Sequence, residues 1–206
     1  MKTEILSADY PVALRHAVDI LNNGGTVAFP TDTVYGLAAL PFYQEYVERL
    51  YRIKGRNSSR AIAVLIGEIS QLDRIAQSPN QTALRLADRF WPGPLTLIVP
   101  RNPELPEALS PTPAIGVRLP DHPVALDLLR LAGPLAVTSA NLSGHQNTNT
   151  AQEVLEQLGG RIHLVIDGRR TPGGVPSTVV DCTQLQPVIL RPGPISLSEI
   201  KSALDF

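Results

Sequence analysis

The chain has 206 residues, a formal net charge of −1 and 43% hydrophobic residues, enough for one sizeable core and cramped for two. No apolar run approaches the roughly 20 residues of a membrane span, and the opening MKTEI has no apolar signal segment. One cysteine, Cys182, excludes an internal disulfide framework and a Cys-rich zinc site and fits a reducing, cytoplasmic setting.

In chain order, Asp9-Tyr-Pro11 opens a helix whose apolar face is Val12, Ala13, Ala17, Val18 and Leu21, with Gly24 as its stop. Gly25–Pro30 reads as a short buried strand. Phe42–Ile53 carries Phe42, Tyr46, Val47, Leu50 and Tyr51 at helical spacing. Ala61–Ile66 is a strand, Gln81–Phe90 an amphipathic helix, and Leu95–Val99 and Ile115–Leu119 are strands. Val124–Leu131 is helical and Leu135–Thr138 a strand. Thr150-Ala-Gln-Glu153 is a capping box for a helix that runs through Leu158 and stops at Gly159-Gly160. Ile162–Ile166, Thr178–Val180 and Val188–Leu190 are strands, and Ser198–Leu204 is a last short helix. Short apolar strands among helices predict an α/β domain with a largely buried sheet. Several strands follow one another without a helix between them, so the sheet should be mixed.

Prolines number 19, about 9% against an average near 5%. Ten lie between Pro92 and Pro134; beside so much hydrophobic sequence they indicate stiff connections and not disorder. Charged residues are only 18%, and 15 of the 18 basic ones are arginine. Arg52, Lys54, Arg56 and Arg60 form one basic run with no acid between Glu48 and Glu68. Such a run can simply complement a helix C-terminus. Around Gly55 and the small Asn57-Ser-Ser59 it also suits a polyphosphate.

Hydroxyls and amides gather where strands stop: in Pro30–Leu37 (PTDTVYGL), Thr138–Gly144 (TSANLSG), Gly173–Asp181 (GGVPSTVVD) and Leu190–Gly193 (LRPG). Each alone is an ordinary turn, with Asp32 as a cap. Four in one small domain predict a converging pocket for a small polar ligand. P-loop, GxGxxG and GxSxG patterns are absent from the sequence. The four histidines lack metal-ligand spacing, so no metal site is expected, and Cys182 reads as a small core residue.

Taken together, Gly24–Leu37, Lys54-Gly-Arg56, Phe90–Thr96 (FWPGPLT), Gly116–Pro123 (GVRLPDHP), Thr138–Gly144, Ser177–Asp181 and Leu190–Gly193 resemble, in order and over nearly the whole chain, the YrdC-like family, the L-threonylcarbamoyladenylate synthases. The resemblance implies an α/β fold: a twisted, mostly buried mixed sheet with helices packed around it and a deep, positively charged cavity. It implies one domain over residues 1–206, without the second C-terminal domain of longer relatives. It also implies a nucleotidyltransferase: L-threonine, bicarbonate or CO2, and ATP with Mg²⁺ give threonylcarbamoyl-AMP and pyrophosphate. The product would pass to a downstream threonylcarbamoyl transferase complex that modifies tRNA next to the anticodon.

By the same resemblance Lys54, Arg56, Ser139 and Asn141 are the catalytic set and hold ATP, joined by Arg60 and Arg191, while Thr33, Arg118 and Ser177 bind threonine, Arg118 through its carboxylate. Lys54 and Arg56 are expected on a solvent-facing loop. The chain departs from the family pattern at Asn57 and at Arg60-Ala61, where a Pro and an Asn-Pro are usual, and at Leu65, where some members carry His. One alternative is a paralogue that binds RNA or a nucleotide without adenylation; the intact Lys54, Arg56, Ser139 and Asn141 argue against it. Another is carbamoyl transfer as in hydrogenase-maturation carbamoyltransferases, whose zinc-finger segments need a Cys pattern that this sequence lacks. The near-zero net charge gives no general RNA-binding surface and leaves at most a weak local tRNA contact; no membrane partner is expected.

Overall fold

In the computed structural model, which describes residues 2–184 and 186–204, ten strands form one sheet. They are β1 (Glu4–Ser7), β2 (Val27–Phe29), β3 (Gly36–Ala39), β4 (Ala63–Leu65), β5 (Leu95–Pro100), β6 (Ala114–Arg118), β7 (Leu135–Ser139), β8 (Leu164–Asp167), β9 (Thr178–Asp181) and β10 (Val188–Arg191). Their order is β1-β8-β2-β3-β7-β4-β6-β5-β9-β10. β8 runs parallel to β1 and β2, β4 to β6, and β5 to β9; the remaining neighbours are antiparallel. The expected mixed α/β sheet is present. β1 and β3 were not expected from the sequence.

The helices are α1 (Ala13–Asn22), α2 (Gln44–Lys54), α3 (Gln81–Phe90), α4 (Pro123–Ala132), α5 (Ala151–Leu158) and α6 (Leu197–Ala203). Local chemistry sets their ends. Asn80 caps α3 by accepting from Ala83 N at 2.9 Å, and Pro123 occupies the first turn of α4, where its missing N–H costs nothing. Gly55 ends α2 at φ +59°, a conformation that glycine takes without strain. At α5 the sequence-predicted box closes differently. Thr150 accepts from Glu153 N, but the Glu153 carboxylate takes Asn149 N at 2.6 Å, one residue before the cap. A full reciprocal box occurs at α6, between Ser196 and Glu199.

Strand alternation sorts the core into two layers. On one face Ala28, Leu37, Val64, Leu97, Val117, Ala136 and Val165 join a large cluster with Leu50 of α2, Leu86 of α3, Val154 of α5 and Ile200 of α6. On the other, Val27, Phe29, Ala38, Leu135, Leu164 and Ile166 pack under α1 (Ala13, Ala17, Leu21) and α4 (Ala125, Leu128, Leu129). That second face continues across β4, β6, β5 and β9 with Ala63, Gly116, Thr96 and Val179, and there it lines a cavity. Glycine, alanine and threonine offer little apolar area against which to bury a helix.

The proline-rich connection from β5 to β6 holds on through two buried leucines, Leu105 and Leu109, and Ile62 N donates to Leu109 O at 2.8 Å. It is a stiff crossing that delivers β6, and with it Arg118, to the cavity. No helix among the described residues is long and apolar enough to cross a membrane.

Candidate functional site

The cavity measures about 340 Å³. Three arginines reach its wall from three separate places: Arg56 just beyond α2, Arg118 at the end of β6, and Arg191 at the end of β10. Thr33, Ser139 and Ser177 share that wall.

Arg118 is the most enclosed of the arginines, only 5% exposed. Its Nε donates to Gly93 O at 3.0 Å and its Nη1 to Thr33 Oγ1 at 2.9 Å, while Nη2 forms a buried ion pair with Asp32. The other Asp32 oxygen, Oδ2, is buried without a partner. Thr33 is itself braced, its hydroxyl 3.0 Å from that of Thr31, which donates to Val34 O at 2.7 Å. Gly173-Gly174 closes over this corner. Gly174 N donates to Thr33 O at 2.7 Å, and a Cβ on Gly173 would lie 2.5 Å from Asp32 O, so only glycine lets the two segments approach. Leu65 pairs in register with Arg118 and also lines the cavity, making that side of the floor apolar.

Arg191 clasps Ser177. Its Nε and Nη2 donate to Ser177 O at 3.1 and 2.8 Å, and Nη2 also meets Ser177 Oγ at 3.0 Å. Ser177 Oγ lies 2.8 Å from Thr96 Oγ1. Arg56 donates to Thr138 Oγ1 at 3.1 Å and Ala61 O at 2.9 Å, and its Nε is buried with no partner.

Burial lowers the pKa of all three guanidiniums. Arg56 depresses Arg191 further, and Arg191 depresses Arg118, while Asp32 pulls Arg118 back up. Like charges held this close, with one carboxylate among them, form a site that gains from taking up anions.

Lys54 is not where the sequence reading puts it. It is the last residue of α2, buried at 3% exposure, and does not line the cavity. Its Nζ donates to Ser139 O, Asn141 O and, at 3.2 Å, Asn141 Oδ1. Burial, and then Arg56, push its pKa down to about 7. Asn141 is buried beside it, behind the cavity wall. Arg60 is exposed on the loop beyond Arg56 and outside the wall. Thus six of the nine sequence-predicted residues (Thr33, Arg56, Arg118, Ser139, Ser177 and Arg191) line one cavity.

The sequence reading missed Asp32 as the counter-ion of Arg118, and Thr96 and Gly116 as floor residues. Their signal was present: both floor positions alternate with core residues along β5 and β6. Among the described residues no group of three or more His, Cys, Asp or Glu could hold a metal.

Residues 19–193 match the Sua5/YciO/YrdC family model, described as "Telomere recombination". The chain belongs to this family. Its relatives include the threonylcarbamoyl-AMP synthase of Bacillus subtilis, 42% identical over 98% of this chain and 59% of that protein. A putative threonylcarbamoyl-AMP synthase of Mycobacterium tuberculosis is 38% identical over 91% of this chain and 87% of that one. Among solved structures, P. abyssi Sua5 complexed with L-threonine superposes with a TM-score of 0.90 at 40% identity, covering 93% of this chain and 57% of that one. The chain therefore spans a little under three-fifths of some Sua5/YciO/YrdC members and most of others.

Proposed function

We propose that this chain is a threonylcarbamoyl-AMP synthase. The observation that carries the reading is the convergence of Arg56, Arg118 and Arg191, from three distant parts of the sequence, on one sheet-face cavity, where Asp32 pairs with Arg118 alone. The reaction it suits brings several anions together. The amine of L-threonine adds to CO2, drawn from bicarbonate, and releases a proton. A carbamate oxygen then attacks the α-phosphorus of ATP, the bond from that phosphorus to the bridging oxygen breaks, and pyrophosphate leaves.

In this reading the threonine carboxylate lies against Arg118, with Thr33 and Ser177 beside it. The nucleotide takes Arg56, Arg191 and Ser139, with Lys54 and Asn141 on the same side and Arg60 reaching in from the loop. Guanidiniums suit both anions because their planar forks pair bidentately with carboxylate and phosphate. Catalysis is then positioning and charge neutralisation, with no protein nucleophile. Mg²⁺ enters as part of MgATP, held by the phosphates more than by the protein. The adenylate product passes, in a cytoplasmic setting, to a downstream threonylcarbamoyl transferase complex acting on tRNA, with at most a weak tRNA contact by this chain.

The test incubates pure protein with ATP, L-threonine, bicarbonate and Mg²⁺ and measures pyrophosphate and the adenylate. Threonine-dependent release of both is expected. Equal pyrophosphate without threonine overturns the synthase reading, and ATP binding without any pyrophosphate replaces it with a nucleotide-binding protein.

A further inference from the structure

We propose that Lys54 and Asn141 are positioning residues: they do not touch the nucleotide but lock the turn after β7, so that Ser139 and Arg56 present their free groups to the cavity. The inference rests on the nucleotide side of the site read above and revises which residues do the binding.

It follows from counting donors and acceptors. The charged form of Nζ has three N–H donors and no acceptor, and the neutral form, reached as pH rises through about 7, has only two donors. Lys54 Nζ meets three oxygens, Ser139 O, Asn141 O and Asn141 Oδ1, so no hydrogen is left for a phosphate. Because an ammonium only donates, the Asn141 atom facing it is the oxygen, which fixes the orientation of the amide. Both hydrogens of Asn141 Nδ2 then go to carbonyls, Leu142 O at 3.0 Å and His145 O at 2.8 Å. Both lone pairs of Oδ1 are taken, by Lys54 and by Ser139 Oγ at 2.6 Å. Asn141 has no binding capacity left either.

What remains free lies on their neighbours. Ser139 spends its hydrogen on Asn141 and faces the cavity with lone pairs alone, so it can accept from a ligand donor but cannot donate to a phosphate oxygen. Arg56, which lines the cavity, keeps one N–H on each of Nη1 and Nη2 beyond those given to Thr138 Oγ1 and Ala61 O. Lys54 also closes the turn from the other side, since its carbonyl accepts Ser143 N at 2.9 Å. One side chain and its own backbone therefore clamp both ends of residues 139–143 to the last turn of α2. Two residues past that turn, Arg56 reaches Thr138. A phosphate contacting Lys54 would have to displace a buried carbonyl and leave it unpaired.

The experiment compares Lys54→Met, Lys54→Arg, Asn141→Ala, the Lys54→Met/Asn141→Ala double variant and Arg56→Ala, each checked for a cooperative thermal transition. ATP affinity and amide hydrogen exchange at residues 140–143 are the readouts. Both lysine variants should lose ATP affinity about tenfold or more, the usual cost of removing a supporting partner. Arginine should not rescue, because its rigid fork cannot replace a compact ammonium among three acceptors. Lys54→Met and Asn141→Ala should each speed exchange at 140–143, and the double variant should be within about twofold of the worse single, as for residues acting as a unit. If Lys54→Arg binds ATP like wild type while Lys54→Met loses affinity with unchanged exchange, Lys54 is a phosphate ligand and the inference falls. It falls too if Lys54→Met binds ATP normally. Arg56→Ala reports separately on the nucleotide site: lost affinity with unchanged exchange supports that reading, and full affinity overturns the site and not the role of Lys54.

Discussion

One face of the sheet does two different things. Over β8, β2 and β3 it carries Val27, Phe29, Leu164 and Ile166, and α1 and α4 bury it completely. Over β4, β6, β5 and β9 the same face carries Ala63, Gly116, Thr96 and Val179 and lines the cavity. The backbone is alike in both halves; side-chain bulk differs. Large aliphatic and aromatic groups gain about 25 cal/mol for each Å² covered and draw helices onto them. Small and hydroxylated ones do not, and the space left over becomes the place where three arginines meet. The covered half holds the fold, and the open half holds charge that the fold itself does not neutralise.

Breaking the covered half should cost most. Phe29→Ala empties a fully buried site under α1 and α4 and should destabilise by about 3–5 kcal/mol, read from denaturant midpoints, with substrate requirements nearly unchanged in the molecules that remain folded. Arg118→Ala strikes the open half where it is most enclosed. It strands the buried Asp32 carboxylate, at a cost of about 3 kcal/mol or more, and should raise the threonine requirement about 10–100-fold, the range for a lost hydrogen bond to a charged group. The ATP requirement should move far less; parallel rises in both would contradict its assignment to the amino acid. Gly116→Val fills the cavity floor, where a Cβ already meets Thr96 Cγ2 at 3.1 Å and Ala63 Cβ at 3.3 Å. Overpacking there should cost only about 1–3 kcal/mol, yet abolish threonine-dependent pyrophosphate release. A filled cavity that stays active would mean that the chemistry lies elsewhere.

Helix-covered surface, on either face of the sheet, was the more legible in sequence, because periodicity reports burial. Gln81–Phe90 was read to the residue, and α1, α2 and α4 to within two or three at each end, since each carries an apolar stripe under a polar back. β3 escaped because Gly36-Leu-Ala-Ala39 has no β-branched residue and is held as a strand by its neighbours β2 and β7. β1 escaped because it lies at the sheet edge with mostly exposed side chains. In the open half the residue types were legible and their commitments were not. The spacing of Lys54 and Arg56 could not tell that one turns inward against carbonyls and the other outward to the cavity. Nothing near Asp32 in the chain says that its partner is Arg118, 86 residues away; the pair exists only because β6 ends beside the turn after β2.

Proton binding also separates the halves, through pH. His163 lies beside β8 and accepts from Thr26 N through Nδ1 at 3.0 Å; burial first, and then Arg49, lower its pKa below the ordinary 6.5. The folded state therefore favours the neutral ring, and the stability this brings is present above pH 6.5 and lost as pH falls toward the lower folded value. Lys54 acts in another window. Its pKa falls from 10.5 to about 7, so between those values the unfolded chain binds a proton that the folded chain does not. Stability rises with pH across that window, by no more than about 1.4 kcal/mol per pH unit for one proton. Against the wild-type urea midpoints from pH 5 to 10, Lys54→Met should lose the alkaline rise and His163→Gln the acid fall. A Lys54→Met curve parallel to wild type above pH 7 would show that its three carbonyl and amide partners hold the proton against burial. The open half would then contain a permanently charged strut in place of one that titrates near neutral pH.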